Sequence, residues 1–171
     1  GWELYVPIEQ GARLWDTLWE AGAPHGLTAC GIGVYGTTGR LEKSYRAYGA
    51  ELETEYDVVE AGMQRPRVKE QDFVGKEAHL RQREQEPAAV LCTLTVDDHA
   101  SASGVNRYPL GREPITLRDG TPLTDAKGRR SYVTSAGAAP SVGSYALMAY
   151  LPPEHAVEGS TELAVEYMNE R

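Results

Sequence analysis

The sequence predicts an α+β fold in which a mixed helix-and-strand part precedes a β-rich part. Near the beginning, a strand pattern runs directly into an amphipathic helix pattern, which is typical of an α+β layer. From Pro87 onwards there are five short β-rich runs separated by turn residues: "AAVLCTLTVDD", "EPITLRDG", "RRSYVTSAG", "YALMAYLPPE" and "ELAVEYMNER". This spacing is typical of a β-sandwich or a small antiparallel β-barrel. We therefore expect two parts, residues 1–86 and residues 87–171.

The first seven residues, "GWELYVP", have the pattern of a β-strand. Trp2, Leu4 and Val6 alternate with Glu3 and Tyr5, so the two sets point to opposite faces of a strand. The solvent-facing side of a half-exposed strand commonly carries charged residues, so Glu3 needs no function on this pattern alone.

Two helices are predicted in the first part. In "IEQGARLWDTLWEAG", Leu14 and Leu18 repeat at four-residue spacing, as do Trp15 and Trp19, and Gly22 is placed to end the helix. The run "KEQDFVGKEAHLRQREQE" indicates a loop that enters a solvated helix, because its charges recur at helical spacings.

Composition excludes several classes of protein. The net charge of −8 over 171 residues argues against a nucleic-acid partner, which requires clustered Lys and Arg. No apolar run approaches the ~20 residues of a membrane span. Cys30 and Cys92 form no disulfide framework, and no signal peptide precedes the first strand, so we expect a reducing, cytoplasmic setting.

Motifs of known chemistry are weak when taken singly. "GIGVYG" at 31–36 matches GxGxxG, with Glu53 at a plausible distance for a ribose contact, but no buried strand precedes it. We expect these glycines to serve close packing or tight turns. The four histidines have no pair at metal-ligand spacing, so we expect no metal. From the residues alone, the chain is a two-part domain without an assigned reaction.

In order along the chain, several stretches resemble the folate-binding aminomethyltransferase family, which includes the glycine cleavage T-protein and the folate domains of dimethylglycine and sarcosine dehydrogenases or oxidases. The matching runs are "GWELYVP", "LWDTLWEAGAPHGLTACG", "RLEKSYRAYGAEL", "VVEAGM", "DFVGKEA", "YVTSAGAAPSVG" and "LMAYLPPE". The resemblance implies part of the folate-binding fold over residues 1–86, followed by a small antiparallel β-barrel domain over residues 87–171, truncated at its end. The run "LEKSYRAYGAEL" is most similar to the dimethylglycine and sarcosine branch.

The resemblance also implies a role for Glu3. In this family the acid of the first strand holds the pterin of tetrahydrofolate, whose amino group and ring N–H form a planar pair of donors. A carboxylate offers two acceptors at matching separation, as in its forked pairing with arginine. Tyr5 is expected to line the same wall.

Implied chemistry is the transfer of a one-carbon unit from a methylamine or aminomethyl donor to tetrahydrofolate. In the dehydrogenase branch, a flavin (FAD) domain elsewhere in the protein first oxidises the amine. A folate-dependent O- or S-demethylase and a non-catalytic folate-binding or regulatory module remain as alternatives.

Two departures from the family pattern bear on the site. The chain begins at Gly1 inside a predicted strand, and the family's catalytic aspartate is expected upstream of it, so we expect a piece of a longer protein that is inactive alone and depends on a missing N-terminal half. The T-protein carries an arginine six residues before the glutamate of its "LE" pair, where it meets the folate tail. Counting back from Glu42 gives Gly36, with Tyr35 beside it. Tyr35 is therefore the third predicted cofactor-binding residue.

Overall fold

The computed structural model describes residues 1–160 and 162–170. Two compact units are present, residues 1–31 and residues 32–171. The boundary expected near residue 87 is a different division and stays a prediction. Within the described residues, no helix combines the length and apolar character needed to cross a lipid bilayer.

The first unit is helical. A 3₁₀ turn (Ile8–Gln10) leads into α1 (Gly11–Gly22), and a second 3₁₀ turn (Ala23–His25) follows. Gly26 then reverses the chain at φ 74°, a left-handed conformation that glycine adopts without a Cβ clash. The helix predicted from the spacing of leucine and tryptophan is confirmed, with Gly22 as its last residue.

The strand predicted over residues 1–7 is wrong for the described chain, because this segment has no regular secondary structure. A strand needs a neighbour to satisfy its backbone N–H and C=O groups, and no strand among the described residues pairs with residues 1–7. Trp2, Leu4 and Val6 therefore alternate as in a strand, but their segment pairs with no strand among the described residues.

Helices of the second unit begin at a wide turn. A π-helix (Val34–Gly39) continues into α2 (Arg40–Glu42), and α3 (Lys76–Arg83) lies further along the chain. No residue of α3 is buried, which confirms the predicted solvated helix. Leu41 is fully buried and anchors α2 to the sheet.

Each of the five β-rich runs contains a strand. These are β1 (Val90–Val96), β2 (Ile115–Leu117), β3 (Val133–Ala139), β4 (Ser144–Leu151) and β5 (Leu163–Val165). They form an antiparallel sheet in the order β1-β4-β3 and a second antiparallel pair, β2-β5. The mixed α+β character is confirmed, whereas the described strands form two open sheets and no closed barrel.

The central strand β4 carries the core. Its last six residues are buried, which explains why "YALMAYL" reads as an apolar run rather than an alternating one. Leu147, Ala149 and Leu151 of β4 form one buried cluster with residues from β2, from β3 and from the loop before β3: Ile115, Leu123, Val133 and Ala136. On the other side of the sheet, the ring of Tyr150 stacks on Tyr56 with centroids 3.6 Å apart.

A buried acidic residue fastens the segment before β1 to the loop before β3. The Glu60 side chain is 1% exposed and accepts hydrogen bonds from Arg129, from the Nζ of Lys127 at 2.9 Å and from the backbone N–H of Asp57 at 3.0 Å. Burial alone would raise the pKa of Glu60, but these donors outweigh burial and lower it to about 2. The guanidinium of Arg129 also lies over the ring of Tyr56.

We predict that Glu60→Gln lowers the free energy of unfolding by about 3 kcal/mol at pH 7, because removing one partner of a buried ion pair leaves the other charges uncompensated. The pKa of Glu60 falls on folding, so its stabilisation is present above about pH 5 and disappears as the pH approaches about 2. Urea unfolding followed by far-UV circular dichroism at several pH values measures this difference. The exposed Glu86→Gln is the matched control, and an equal effect in both variants would contradict the prediction.

Gly137 of β3 gives a second prediction. A Cβ at this position would lie 2.7 Å from Cγ2 of Thr37 and 3.0 Å from Cδ1 of Leu41. Gly137→Ala should therefore destabilise the protein by roughly 1–3 kcal/mol through overpacking. Gly33→Ala, whose Cβ would meet nothing within 4 Å, should be neutral or stabilising in the same thermal unfolding measurement.

Candidate functional site

Glu3 and Tyr5 of the first unit are exposed, and they contact each other. The hydroxyl of Tyr5 donates a hydrogen bond to Oε2 of Glu3. An ionised carboxylate has about four acceptor positions, so one bond from Tyr5 leaves both oxygens able to accept a further donor. The two residues predicted to share a wall thus form a hydrogen-bonded pair.

This hydrogen bond changes the acidity of the phenol. Donation to the carboxylate of Glu3 raises the pKa of Tyr5, because loss of the phenolic proton would place a second negative charge beside the first. Tyr5 is therefore a neutral donor at physiological pH.

The third predicted residue, Tyr35, belongs to the second unit. It lies in the π-helix and is 81% exposed. A π-helix closes hydrogen bonds from i to i+5, one residue wider than an α-helix. Gly36, six residues before Glu42, lies in the same π-helix and directly follows Tyr35.

The π-helix also bears on whether the run "GIGVYG" is a dinucleotide-binding motif. Gly33 and Gly36 lie within a continuous helical segment, and no strand precedes them among the described residues. A dinucleotide fingerprint requires a strand, a tight glycine turn and then a helix. The expected close packing is not found at these glycines, because an added Cβ would meet nothing within 4 Å at Gly31 or Gly33 and only the side chain of Ile32 at 3.8 Å at Gly36. Close packing occurs instead at Gly39, outside the motif, where an added Cβ would lie 2.8 Å from the carbonyl oxygen of Val34.

Arg40 links the π-helix to the rest of the second unit. Its Nε donates to the carbonyl of Gly36, its Nη1 pairs with Glu51 at 3.0 Å and its Nη2 donates to Ser135 at 2.7 Å. Glu51 is completely buried and also accepts hydrogen bonds from the backbone N–H of Ala47 and the hydroxyl of Thr134. This carboxylate therefore accepts hydrogen bonds from three donors, and both of its oxygens are paired.

A cavity of about 850 Å³ lies in the second unit beside β1 and β5. Its wall includes His99, His155 and an ion pair in which Nη2 of Arg107 is 2.9 Å from Glu170. None of the three predicted site residues lines this cavity. His99 packs against two tyrosine rings, Tyr108 and Tyr145, and its Nδ1 is 2.9 Å from the carbonyl oxygen of Arg107, so its observed contacts are structural.

A smaller hollow, about 490 Å³ in volume, is present within the first unit. It is lined mainly by apolar side chains, including Trp15 and Trp19, whose rings stack with centroids 6.0 Å apart. Neither Glu3 nor Tyr5 contributes to its wall.

Comparison with known proteins identifies relatives of the chain. Residues 1–69 match the family model of the GCVT N-terminal domain. The chain is 34% identical to the aminomethyltransferase of Streptomyces avermitilis, over 97% of this chain and 42% of that protein. It is 33% identical to the aminomethyltransferase of Thermosynechococcus vestitus, over 97% of this chain and 40% of the relative. The corresponding protein of Acidobacterium capsulatum is also 33% identical, over 99% and 42% respectively.

This chain is similar to aminomethyltransferases. The similarity extends over nearly all of the chain, and the predicted residues Glu3, Tyr5 and Tyr35 all fall within the matched residues 1–69. The chain spans about two fifths of the length of the curated relatives it matches. These comparisons support a segment related to the aminomethyltransferase and T-protein family.

Sequence reasoning missed the buried ion pairs of Arg40 with Glu51 and of Arg129 with Glu60. Both acids sit in runs rich in charged residues, where a solvated surface is the ordinary expectation.

We predict that Glu3→Gln shifts the pKa of Tyr5 back towards its ordinary value, because a neutral amide no longer opposes formation of the tyrosinate. The shift can be measured by NMR titration of protein labelled with ¹³C at the tyrosine Cζ. Glu9→Gln, a change to an exposed acid of the same unit, should leave the titration of Tyr5 unchanged. An unaltered pKa of Tyr5 in Glu3→Gln would show that the pair does not form in solution.

Proposed function

We propose that this chain is the folate-side part of a tetrahydrofolate-dependent aminomethyltransferase and that Glu3 is its pterin-binding carboxylate. The observation that carries this proposal is the similarity to aminomethyltransferases over 97% of the chain, with Glu3 inside the matched GCVT N-terminal domain. A division near residue 87 and closure of residues 87–171 into a β-barrel belong to the same proposal.

The chemistry of the Glu3–Tyr5 pair fits a reduced pterin. A pterin edge presents an amino group and a ring N–H side by side, and Glu3 can accept both because Tyr5 uses only one of its acceptor positions. Tyr5 keeps the carboxylate oriented in the absence of ligand, so less side-chain freedom is lost on binding. Tetrahydrofolate, when bound, supplies the nitrogen that accepts the one-carbon unit.

From the family resemblance, we also propose that Tyr35 contacts folate. In the T-protein pattern an arginine meets the carboxylate tail of folate. In this chain the corresponding position is Gly36, and Tyr35 directly precedes it in the π-helix. A tyrosine hydroxyl can donate one neutral hydrogen bond where arginine offers a charged fork, so this site would hold the tail less strongly. We propose that this substitution marks a branch other than the T-protein.

The run "LEKSYRAYGAEL" favours the flavin-linked dimethylglycine and sarcosine branch, in which an FAD domain elsewhere in the protein would oxidise a methylamine and this part would capture the product. Sequencing the gene upstream of Gly1 tests this directly: a flavin-binding domain supports the branch, and its absence removes it. Cytoplasmic placement belongs to the same proposal and agrees with the two free thiols, Cys30 and Cys92.

The full-length protein that contains this chain should bind tetrahydrofolate, and Glu3→Gln should weaken binding by about tenfold or more, since hydrogen bonds to a charged group contribute about 1.5–3 kcal/mol. Titration calorimetry measures the affinity, and Glu9→Gln is the matched control within the first unit. Unchanged affinity in Glu3→Gln would defeat the site assignment.

One-carbon transfer should depend on residues outside this chain. We expect the isolated 171-residue chain to show no tetrahydrofolate-dependent transfer from methylamine or aminomethyl donors, because the family resemblance implies that the aspartate that handles the proton lies outside these residues. The full-length protein should transfer from these donors and not from methoxy or methylsulfonio compounds. Transfer by the isolated chain would refute the dependence, and preference for methoxy or methylsulfonio donors would favour the demethylase alternative.

A further inference from the structure

The second unit contains a π-helix. It is six residues long, Val34–Gly39, and forms about one wide turn inside a continuous helical segment, as most π-helices do. Such wide turns are frequent at functional sites, because they change the direction in which a side chain is presented. Tyr35 is part of this turn and most of its surface is exposed, and no hydrogen bond joins its hydroxyl to another described residue.

The wide turn is held from one side by a single guanidinium. Nε of Arg40 donates to the carbonyl of Gly36, the residue that directly follows Tyr35. The same side chain reaches Glu51 and Ser135 through its other nitrogens. Since an arginine fork is planar and rigid, fixing its two Nη atoms also fixes the direction of its Nε–H bond towards Gly36.

Glu51, the carboxylate that binds the guanidinium of Arg40, is itself held in place. Glu51 is completely buried and held by Ala47 N–H and by Thr134 of β3, so the carboxylate that receives Arg40 has one orientation. The absence of a side chain at Gly137 lets Thr37 and Leu41 lie directly against β3. The π-helix is therefore pressed against the sheet on one face and tied to it through Arg40.

We propose that Arg40 is a positioning residue, which sets the direction of Tyr35 towards the folate ligand by holding the carbonyl of Gly36 in the π-helix. This inference rests on the proposed function, because it needs Tyr35 to contact folate. It adds that the affinity contributed by Tyr35 depends on a side chain that does not touch the ligand.

Arg40→Lys is the decisive variant. Lysine keeps a positive charge for Glu51, but its single ammonium cannot also reach Ser135 and the carbonyl of Gly36 in the fork geometry. In the full-length protein, Arg40→Lys and Tyr35→Ala should each weaken binding of tetrahydrofolate roughly tenfold, and the double variant should be no weaker than the weaker single variant, because residues coupled through one network give non-additive effects.

Arg46→Lys is the matched control. Arg46 is also partly buried and donates to backbone carbonyls, those of Ala61 and Ser44, but it makes no contact with the π-helix. It should lower the thermal unfolding temperature to a similar extent as Arg40→Lys while leaving the folate affinity of the folded protein unchanged.

Three outcomes separate the possibilities. If Arg40→Lys lowers stability alone, or if its effect on affinity persists fully in the Tyr35→Ala background, Arg40 is not a positioning residue for Tyr35. If wild-type protein binds tetrahydrofolate and Tyr35→Ala does not change the affinity, the role of Tyr35 and this inference both fail while the assignment of Glu3 stands. If the wild-type protein does not bind tetrahydrofolate at all, the proposed function itself fails.

Discussion

The buried carboxylate of Glu51 is the constraint on which the second unit depends. An ionised acid removed from water needs donors on every side, and three different parts of the chain supply them: Arg40, Ala47 and Thr134. The helical segment, the turn that follows it and the sheet must therefore meet at one point. An apolar residue at position 51 could pack in several ways, whereas a carboxylate that requires these donors is compatible with one arrangement.

The second buried acid, Glu60, performs the same task for a different pair of segments. It joins the chain before β1 to the loop that carries Lys127 and Arg129, and Arg129 in turn covers the ring of Tyr56. In both places the acid is nearly inaccessible and its strongest partner is an arginine, whose fork can serve two or three acceptors at once. The two sites show how a segment rich in charged residues, between residues 40 and 60, is fastened to a sheet.

Local sequence patterns predicted individual helices and strands better than they predicted which segments of the chain contact each other. The helix at Trp15 and the strand at Leu147 could be predicted because side-chain periodicity depends only on which face is covered. The alternating pattern around Trp2 was not enough to predict a strand, because a strand forms only where another strand pairs with it. The π-helix at Tyr35 and the buried Glu51 were not predictable, since both depend on contacts with β3 some ninety residues away in the chain. For the candidate site, the sequence predicted Glu3 and Tyr5 on one face of a strand that does not form, so their hydrogen bond was not predicted. The support beneath Tyr35 also required the fold.

Because of where the tryptophans lie, the two units can be observed by different spectroscopic signals. Trp2, Trp15 and Trp19 all lie in the first unit, and all three are exposed, while the stacked rings of Tyr56 and Tyr150 lie in the second. Indole emission therefore reports the surroundings of the first unit and is silent about the sheet. Near-ultraviolet dichroism from the tyrosine stack reports the second, so the melting of each unit can be followed at its own wavelength without any added label.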